Sequence, residues 1–262
     1  MRTVRKALNL LDVFSETASE FGLSELARNV GYDKATTQRM LAALTDHGML
    51  EQHPQTKKYR LGAELLRLAR VREATFPISE IVEPTLKKLA QQTGETAHFS
   101  LASGSHLATL GIADSPRANR INIEKGERLP LHCTGSGIAF LAFSPDSLVN
   151  EILNQPLEAP SDKTVTDPKR IRQYIAAAKK TAIGTIDEGY EAEVVGYGAP
   201  IFDWTGFASG AVAVALPSSR NSPQYAREIK SAVRKAAVEI TRGFGAEPDE
   251  VLLRNEPIEG AP

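Results

Sequence analysis

The stretch Leu23–Leu50, LSELARNVGYDKATTQRMLAALTDHGML, constrains the chain most, because two short helical patterns meet there at a tight turn. Ser24 is a suitable N-cap for the first helix, and Glu25 sets negative charge at its positive end. Leu26, Ala27 and Val30 form an apolar stripe, and Gly31 suits a left-handed helix end. Asp33 is expected to cap a second helix that runs to about Asp46 and stops at Gly48. Thr37, Met40, Leu41 and Leu44 recur at helical spacing and form its buried face. At about 100° per residue, the opposite face carries Ala35, Arg39, Ala42 and Asp46, flanked by Gln38 and Ala43.

Such a pair is either a helical hairpin with a solvated face or a helix-turn-helix whose second helix enters the DNA major groove. The outward chemistry suits the second. Ala35 and Ala42 are small enough for close approach, and Gln38 and Arg39 can pair with adenine and guanine edges. Lys34 and Thr36 stand near the helix start, in reach of phosphates. Val4, Leu8, Leu11 and Phe14 predict a preceding helix over about Thr3–Ser15 that closes a three-helix core. Beyond Gly48, two short extended runs flank the turn HPQTK, a hairpin that reads as a wing. Lys57, Lys58 and Arg60 give this wing phosphate-binding charge.

Charge is distributed accordingly. Residues 1–75 carry 12 Lys and Arg against 9 Asp and Glu, whereas the rest carries 19 against 23. A mildly basic front and an acidic back fit a small DNA-reading module joined to a second function. Cys133 is the only cysteine, so no intrachain disulfide forms, which suits a reducing cytoplasm. MRTVRKALNLLDVF is too short and amphipathic for a signal peptide, and no apolar run approaches the roughly 20 residues of a membrane helix. The expectation is a soluble, cytoplasmic protein without a membrane partner.

Residues 62–76 continue as a linker helix bearing Leu65 and Leu68. A helix follows over about Ile78–Thr93, where Pro84 marks a kink or a restart. Strands are expected at Thr96–Ala102 and His106–Ala113, a short one at Ile121–Glu124, and a pair at Val194–Phe202 and Phe207–Leu216. Helices are expected at Gly135–Phe143, at about Asp167–Ile183 behind a Thr166 cap, and at about Pro223–Phe244. Hairpins with helices between them imply an α+β domain built on an antiparallel sheet. Residues 246–262 are rich in Glu and Pro and are expected to be a disordered tail.

Six dispersed segments, in order, resemble the IclR-type bacterial transcriptional regulators: VRKALNLLDVF, LSELARNVGYDKATTQRMLAALTDHGMLEQ, KYRLG, LAQQTGETAHFSL, GERLPLHCTGSGIAFLAF and GAPIFDWTGFASGAVAVALP. The resemblance implies a winged helix-turn-helix over 1–61, a linker helix over 62–76, and a GAF-like effector-binding domain over 77–245. It also implies a homodimer or homotetramer on double-stranded operator DNA, with small organic acids or aromatic compounds as effectors. In the segment Leu129–Ser136, Gly135 and Ser136 stand where family members offer backbone N–H groups to an effector carboxylate, and Leu129 with Ile121 corresponds to pocket wall. Ala213 and Ala215 occupy positions where some carboxylate binders carry serines, and Gly196 falls near a cysteine position. These departures remove polar anchors, so an aromatic or medium-sized carboxylate is expected in a pocket whose other walls are apolar.

Enzyme chemistry finds little support. There is no Walker A sequence, Gly135–Gly137 and Gly196–Gly198 are too short for a dinucleotide fingerprint, and Ser136 lacks a nucleophile elbow. His132 and Cys133, read as neighbours on a strand, would point to opposite faces, and Cys133 reads as a small buried hydrophobe. The five histidines show no metal-binding spacing, and no cofactor is expected. The competing expectation is a small-molecule enzyme in the C-terminal domain, with the N-terminal module serving for interaction.

Overall fold

The computed structural model describes residues 2–15, 17–75 and 77–254. It divides into two compact units between Pro77 and Ile78. The first comprises α1 (Arg2–Leu11), α2 (Leu23–Val30), α3 (Lys34–Asp46), the hairpin β1 (Leu50–Gln52) and β2 (Tyr59–Leu61), and α4 (Ala63–Thr75). Leu10, Leu26, Met40, Leu41, Leu50 and Tyr59 form its core, with Ala7, Leu11, Phe14 and Leu44 packed against them. Gly31 takes φ 69°, and the Tyr32 amide turns back to the Ala27 carbonyl at 3.0 Å, which closes the α2–α3 turn.

Two local expectations are corrected here. The α2 cap is Gly22, not Ser24, and the Glu25 carboxylate accepts the Gly22 amide at 2.7 Å. Helix α1 ends at Leu11, short of the expected Ser15. On it Val4 and Leu8 are exposed while Ala7, Leu10 and Leu11 meet the core, which Phe14 joins from beyond the helix end. The wing is also wider than a hairpin, because Phe21 and Tyr59 exchange backbone hydrogen bonds at 3.0 and 2.8 Å.

The second unit is built on an antiparallel six-stranded sheet of order β5-β4-β3-β8-β7-β6. Its strands are β3 (Thr96–Ser103), β4 (His106–Ala113), β5 (Arg128–Pro130), β6 (Gly184–Asp187), β7 (Val194–Phe202) and β8 (Ala208–Pro217). Helices α5 (Ile78–Thr93) and α9 (Pro223–Gly243) pack on one face, and α6 (Gly135–Ala142) with α8 (Pro168–Thr181) on the other. Apolar side chains fill both layers, with Val82, Leu86, Phe99, Val212, Val233 and Ile240 buried between α5, α9 and the sheet. Chain and fold class agree: a winged helix-turn-helix, a linker helix and an antiparallel sheet with flanking helices, α+β.

Ile121–Glu124 is not a strand; it runs as a loop, and the edge strand is β5. Helix α5 continues through Pro84. Asp167, not Thr166, caps α8 by accepting the Lys169 amide at 3.1 Å. No element is expected from the sequence at β5, β6, α7 (Asp146–Leu153) or the short C-terminal helix Glu250–Leu253, yet all four form. The expected disordered tail is ordered where it is described: α10 (Glu250–Leu253) forms, and Ala246 and Leu252 are buried. Residues 255–262 lie outside the described residues.

Candidate functional site

Two places in the molecule gather the expected site residues. The first is the outer face of α3 with the wing. Asp33 caps the helix by accepting the Thr36 amide at 2.8 Å, and that bond holds its carboxyl below the usual range. Thr37, Met40 and Leu41 face inward, which turns Lys34, Ala35, Gln38 and Arg39 to solvent, with Thr36 half-buried. Lys57 and Lys58 are exposed at the wing turn. Lys57 sits at φ 58°, and its carbonyl accepts from Gln52 Nε2 at 3.0 Å. Arg60 is not free cationic charge: it lies opposite Glu51 in the register and pairs with its carboxylate at 3.0 Å.

The second place is a cavity in the C-terminal unit, on the α6 face of the sheet. Ile121, Leu129, Gly135, Ser136, Ala213 and Ala215 all line it, and it encloses about 540 Å³ of empty space including its mouth. The enclosed part is much smaller, about 60 Å³, and most of the remainder is open to solvent. The floor is β8, β7 and β3, where the short side chains of Ala213, Ala215 and Gly196 leave room. The end wall is the start of α6. Thr134 caps that helix, its Oγ1 accepting the Gly137 amide at 3.0 Å. The first amides of a helix have no intrahelical acceptor, so those of Gly135 and Ser136 are left as donors at its positive end.

Glycines let this helix start touch the sheet. A Cβ on Gly135 would stand 2.5 Å from the Gly196 carbonyl oxygen, and one on Gly184 would stand 2.2 Å from the Gly135 carbonyl oxygen. Ile121 is tied down from the other side, its carbonyl accepting from Thr96 Oγ1 at 2.7 Å.

The walls are not otherwise apolar, which corrects that expectation. His98, Glu127, Tyr190 and Glu191 also line the cavity. Tyr190 donates to Glu127 at 2.8 Å, and burial followed by that carboxylate pushes its hydroxyl pKa up. His98 is 6% exposed, neither ring nitrogen has a hydrogen-bond partner, and burial lowers its pKa to about 4. Among the described residues, no Lys or Arg lines the cavity. His98 was overlooked in the sequence, although the alternation Thr96, His98, Ser100 against Ala97, Phe99, Leu101 already set it on the face opposite the apolar core.

His132 and Cys133 lie in a bend, not on a strand. Desolvation, with the nearby Glu158 charge, pushes the Cys133 thiol up to about 12, and the His132 ring meets the Glu158 carbonyl oxygen at 2.9 Å. A thiol so held is not an activated nucleophile. No group of three or more His, Cys, Asp or Glu side chains among the described residues is placed to hold a metal ion.

Known proteins place these two sites in context. Residues 3–54 match the IclR helix-turn-helix domain, and residues 74–242 match the description "Bacterial transcriptional regulator IclR C-terminal". The chain is 28% identical over 250 residues to the HTH-type transcriptional regulator BhcR of Paracoccus denitrificans, covering 95% of this chain and 89% of that protein. It is 26% identical over 249 residues to the transcriptional repressor IclR of Escherichia coli K12, covering 94% and 90%. The crystal structure of an IclR-type regulator from Silicibacter sp. TM1040 matches with a TM-score of 0.89 and 41% identity, over 95% of this chain and 98% of that one. An IclR homolog from Microbacterium hydrocarbonoxydans, solved in complex with 4-hydroxybenzoate, shares the fold with a TM-score of 0.74 at 23% identity, over 93% and 99%. The helix-turn-helix and the sheet domain occur here in the same order and over nearly the whole length, and the chain belongs to the IclR family of bacterial transcriptional regulators.

Proposed function

We propose that this protein is a cytoplasmic, non-enzymatic regulator that binds double-stranded operator DNA and is controlled by a small organic acid carrying a single carboxylate. Three parts are assigned: residues 1–61 read DNA, residues 62–76 link, and residues 77–245 bind the effector. Lys34, Ala35, Thr36, Gln38 and Arg39 on α3 enter the major groove, Lys57 and Lys58 on the wing meet phosphates, and Arg60 stands beside them with its charge largely taken up by Glu51. Exposed apolar side chains of the first unit, Val4 and Leu8 on α1 and Leu66, Leu68 and Val71 on α4, are the candidate pairing contacts. A homodimer or homotetramer covers such side chains.

One observation carries the effector reading. The cavity presents two helix-start amides at Gly135 and Ser136, no cationic side chain among the described residues, and the carboxylates of Glu127 and Glu191. The amides suit one anionic group, whereas a phosphate or a dicarboxylate would meet uncompensated repulsion. An aromatic or medium-sized acid would set its apolar part against Ile121, Leu129, Ala213 and Ala215, the apolar walls. A regulator of the same fold that carries 4-hydroxybenzoate supports this size and charge. Differential affinity of the acid for two arrangements of the assembled protein then alters DNA affinity.

Calorimetry across acids from glyoxylate to benzoate and octanoate, on wild type and Ala213→Trp, tests the reading. Binding that rises with apolar size and is lost in Ala213→Trp supports it. Preference for the smallest acid, or equal affinity in both proteins, refutes it.

A further inference from the structure

Among the described residues lining the cavity, His98 is the one whose buried side-chain nitrogen or oxygen atoms have no hydrogen-bond partner in the protein. Burying a polar group without a partner is costly, and an apolar side chain of similar size would avoid that cost. Its place in the sheet is specific. His98 on β3 lies opposite Ala213 on β8, and Ala213 lies opposite Gly198 on β7. Directly opposed residues share a face, so these three form one row, in which His98 and Ala213 line the cavity and Gly198 lies under the helix start. The row ends at the helix start, because a Cβ on Gly198 would stand 2.6 Å from the Ser136 amide nitrogen. Adjacent strands are separated by about 4.8 Å, which sets the backbone of His98 about 10 Å from that end.

We infer that His98 selects effectors that carry, in addition to the carboxylate held at α6, an uncharged hydroxyl or carbonyl group at the end away from that carboxylate. The inference rests on the carboxylate assignment made above. A neutral imidazole offers one donor and one acceptor, so it serves a hydroxyl in either role and a carbonyl as donor. Burial keeps the ring neutral above about pH 4, so it adds no charge that would draw a second carboxylate. Sites built to hydrogen-bond one substrate hydroxyl discriminate strongly against analogues that lack it, because the site's buried polar group is then left unpaired.

Four probes on the full-length protein test this: benzoate, 4-hydroxybenzoate, cyclohexanecarboxylate and trans-4-hydroxycyclohexanecarboxylate, titrated by calorimetry into wild type, His98→Leu and His98→Gln. In wild type the hydroxylated acid of each pair is expected to bind at least about tenfold tighter than its partner. In His98→Leu the ratio should fall to near one or invert, and His98→Gln should restore part of it. The melting temperature of unliganded His98→Leu should equal or exceed that of wild type. A fall in melting temperature would assign His98 a structural role and overturn the inference. Equal ratios in wild type and His98→Leu, or tight wild-type binding of both acids without discrimination, overturn it while leaving the carboxylate site standing. Failure of all four acids to bind wild type overturns the carboxylate site and the inference together.

Discussion

Gly198 and Ser136 meet so closely that a Cβ added to Gly198 would stand 2.6 Å from both the amide nitrogen and the Cα of Ser136. This contact of backbone on backbone sets where the α6 amides stand relative to the sheet floor. Gly198→Ala should therefore push the helix start outward, cost about 1–3 kcal/mol of stability and weaken carboxylate binding by more than tenfold. Chemical denaturation and calorimetry with benzoate measure both, and unchanged benzoate affinity in a folded variant would detach the helix start from the ligand.

On DNA, Arg39→Ala and Gln38→Ala are each expected to cost about 1–3 kcal/mol on the specific site and to relax its sequence preference. Lys57→Ala and Lys58→Ala should weaken specific and random duplexes alike and each reduce the salt slope by about one. Glu51→Gln should do the reverse. It frees Arg60 from an ion pair of 3.0 Å, so random-duplex affinity should rise and the slope steepen by about one. Fluorescence anisotropy across salt concentrations separates the three patterns.

A second prediction on assembly follows from α4, where Leu66 is 68% and Leu68 40% exposed. Sedimentation at micromolar protein should show a dimer or tetramer, and Leu66→Glu with Leu68→Glu should dissociate it. DNA half-sites should lie a whole number of turns of about 10 bp apart. A wild type that sediments only as monomer with DNA present would refute the pairing surface.

Acid should weaken the C-terminal unit through His98. Its folded pKa of about 4 lies below the ordinary 6.5, so between these values the unfolded chain binds a proton that the native chain does not. Stability is unaffected by this group above pH 6.5, declines as pH falls through that window, and levels off below about 4. The full effect is about 3 kcal/mol. Glu127, Tyr190, Glu191 and Cys133 line the same cavity, so the comparison is made against His98→Leu, in which their contributions largely persist. Denaturation of the two proteins at pH 8 and pH 4.5 should show the variant gaining relative to wild type at the lower value; parallel curves would refute the assignment.

Glu95 is fully buried and receives Arg220 at 2.6 Å, Arg117 at 2.8 Å and the Tyr225 hydroxyl at 3.0 Å. Glu95→Gln leaves two guanidinium groups without their carboxylate, at a cost of about 3 kcal/mol, near the lower bound for a broken buried pair because both arginines keep contact with water. Urea denaturation gives the value directly.

How much of this was legible in sequence depends on which physical signal each element carries. Helix α3 was read with its face correctly oriented because Thr37, Met40 and Leu41 are a single stripe with polar residues opposite. On α1, two apolar stripes overlap, and periodicity alone does not say whether Leu8 or Leu10 meets the core. β6 is only four residues at a sheet edge and begins at Gly184, which is there for contact with α6, not for strand propensity. The apolar Ile121 and Ile123 suggest a strand, yet with Asn122 they run as a loop along the cavity. All six expected pocket residues share that cavity. His98 went unread because a lone histidine in an apolar strand looks like core until the opposite side of its strand is known to be hollow.

The cavity draws its floor from three central strands and its rim from two segments far apart in the chain, around 121–136 and 190–191. Strand positions change only in steps of two, because the intervening residues face the α5–α9 layer, whereas the rim segments are free of that parity. Retuning such a regulator to a new metabolite is thus a problem with few variables: positions 98, 213 and 215 set what lies beneath the ligand, and the rim sets its outline. The DNA-reading surface belongs to a separate folding unit and need not change at all.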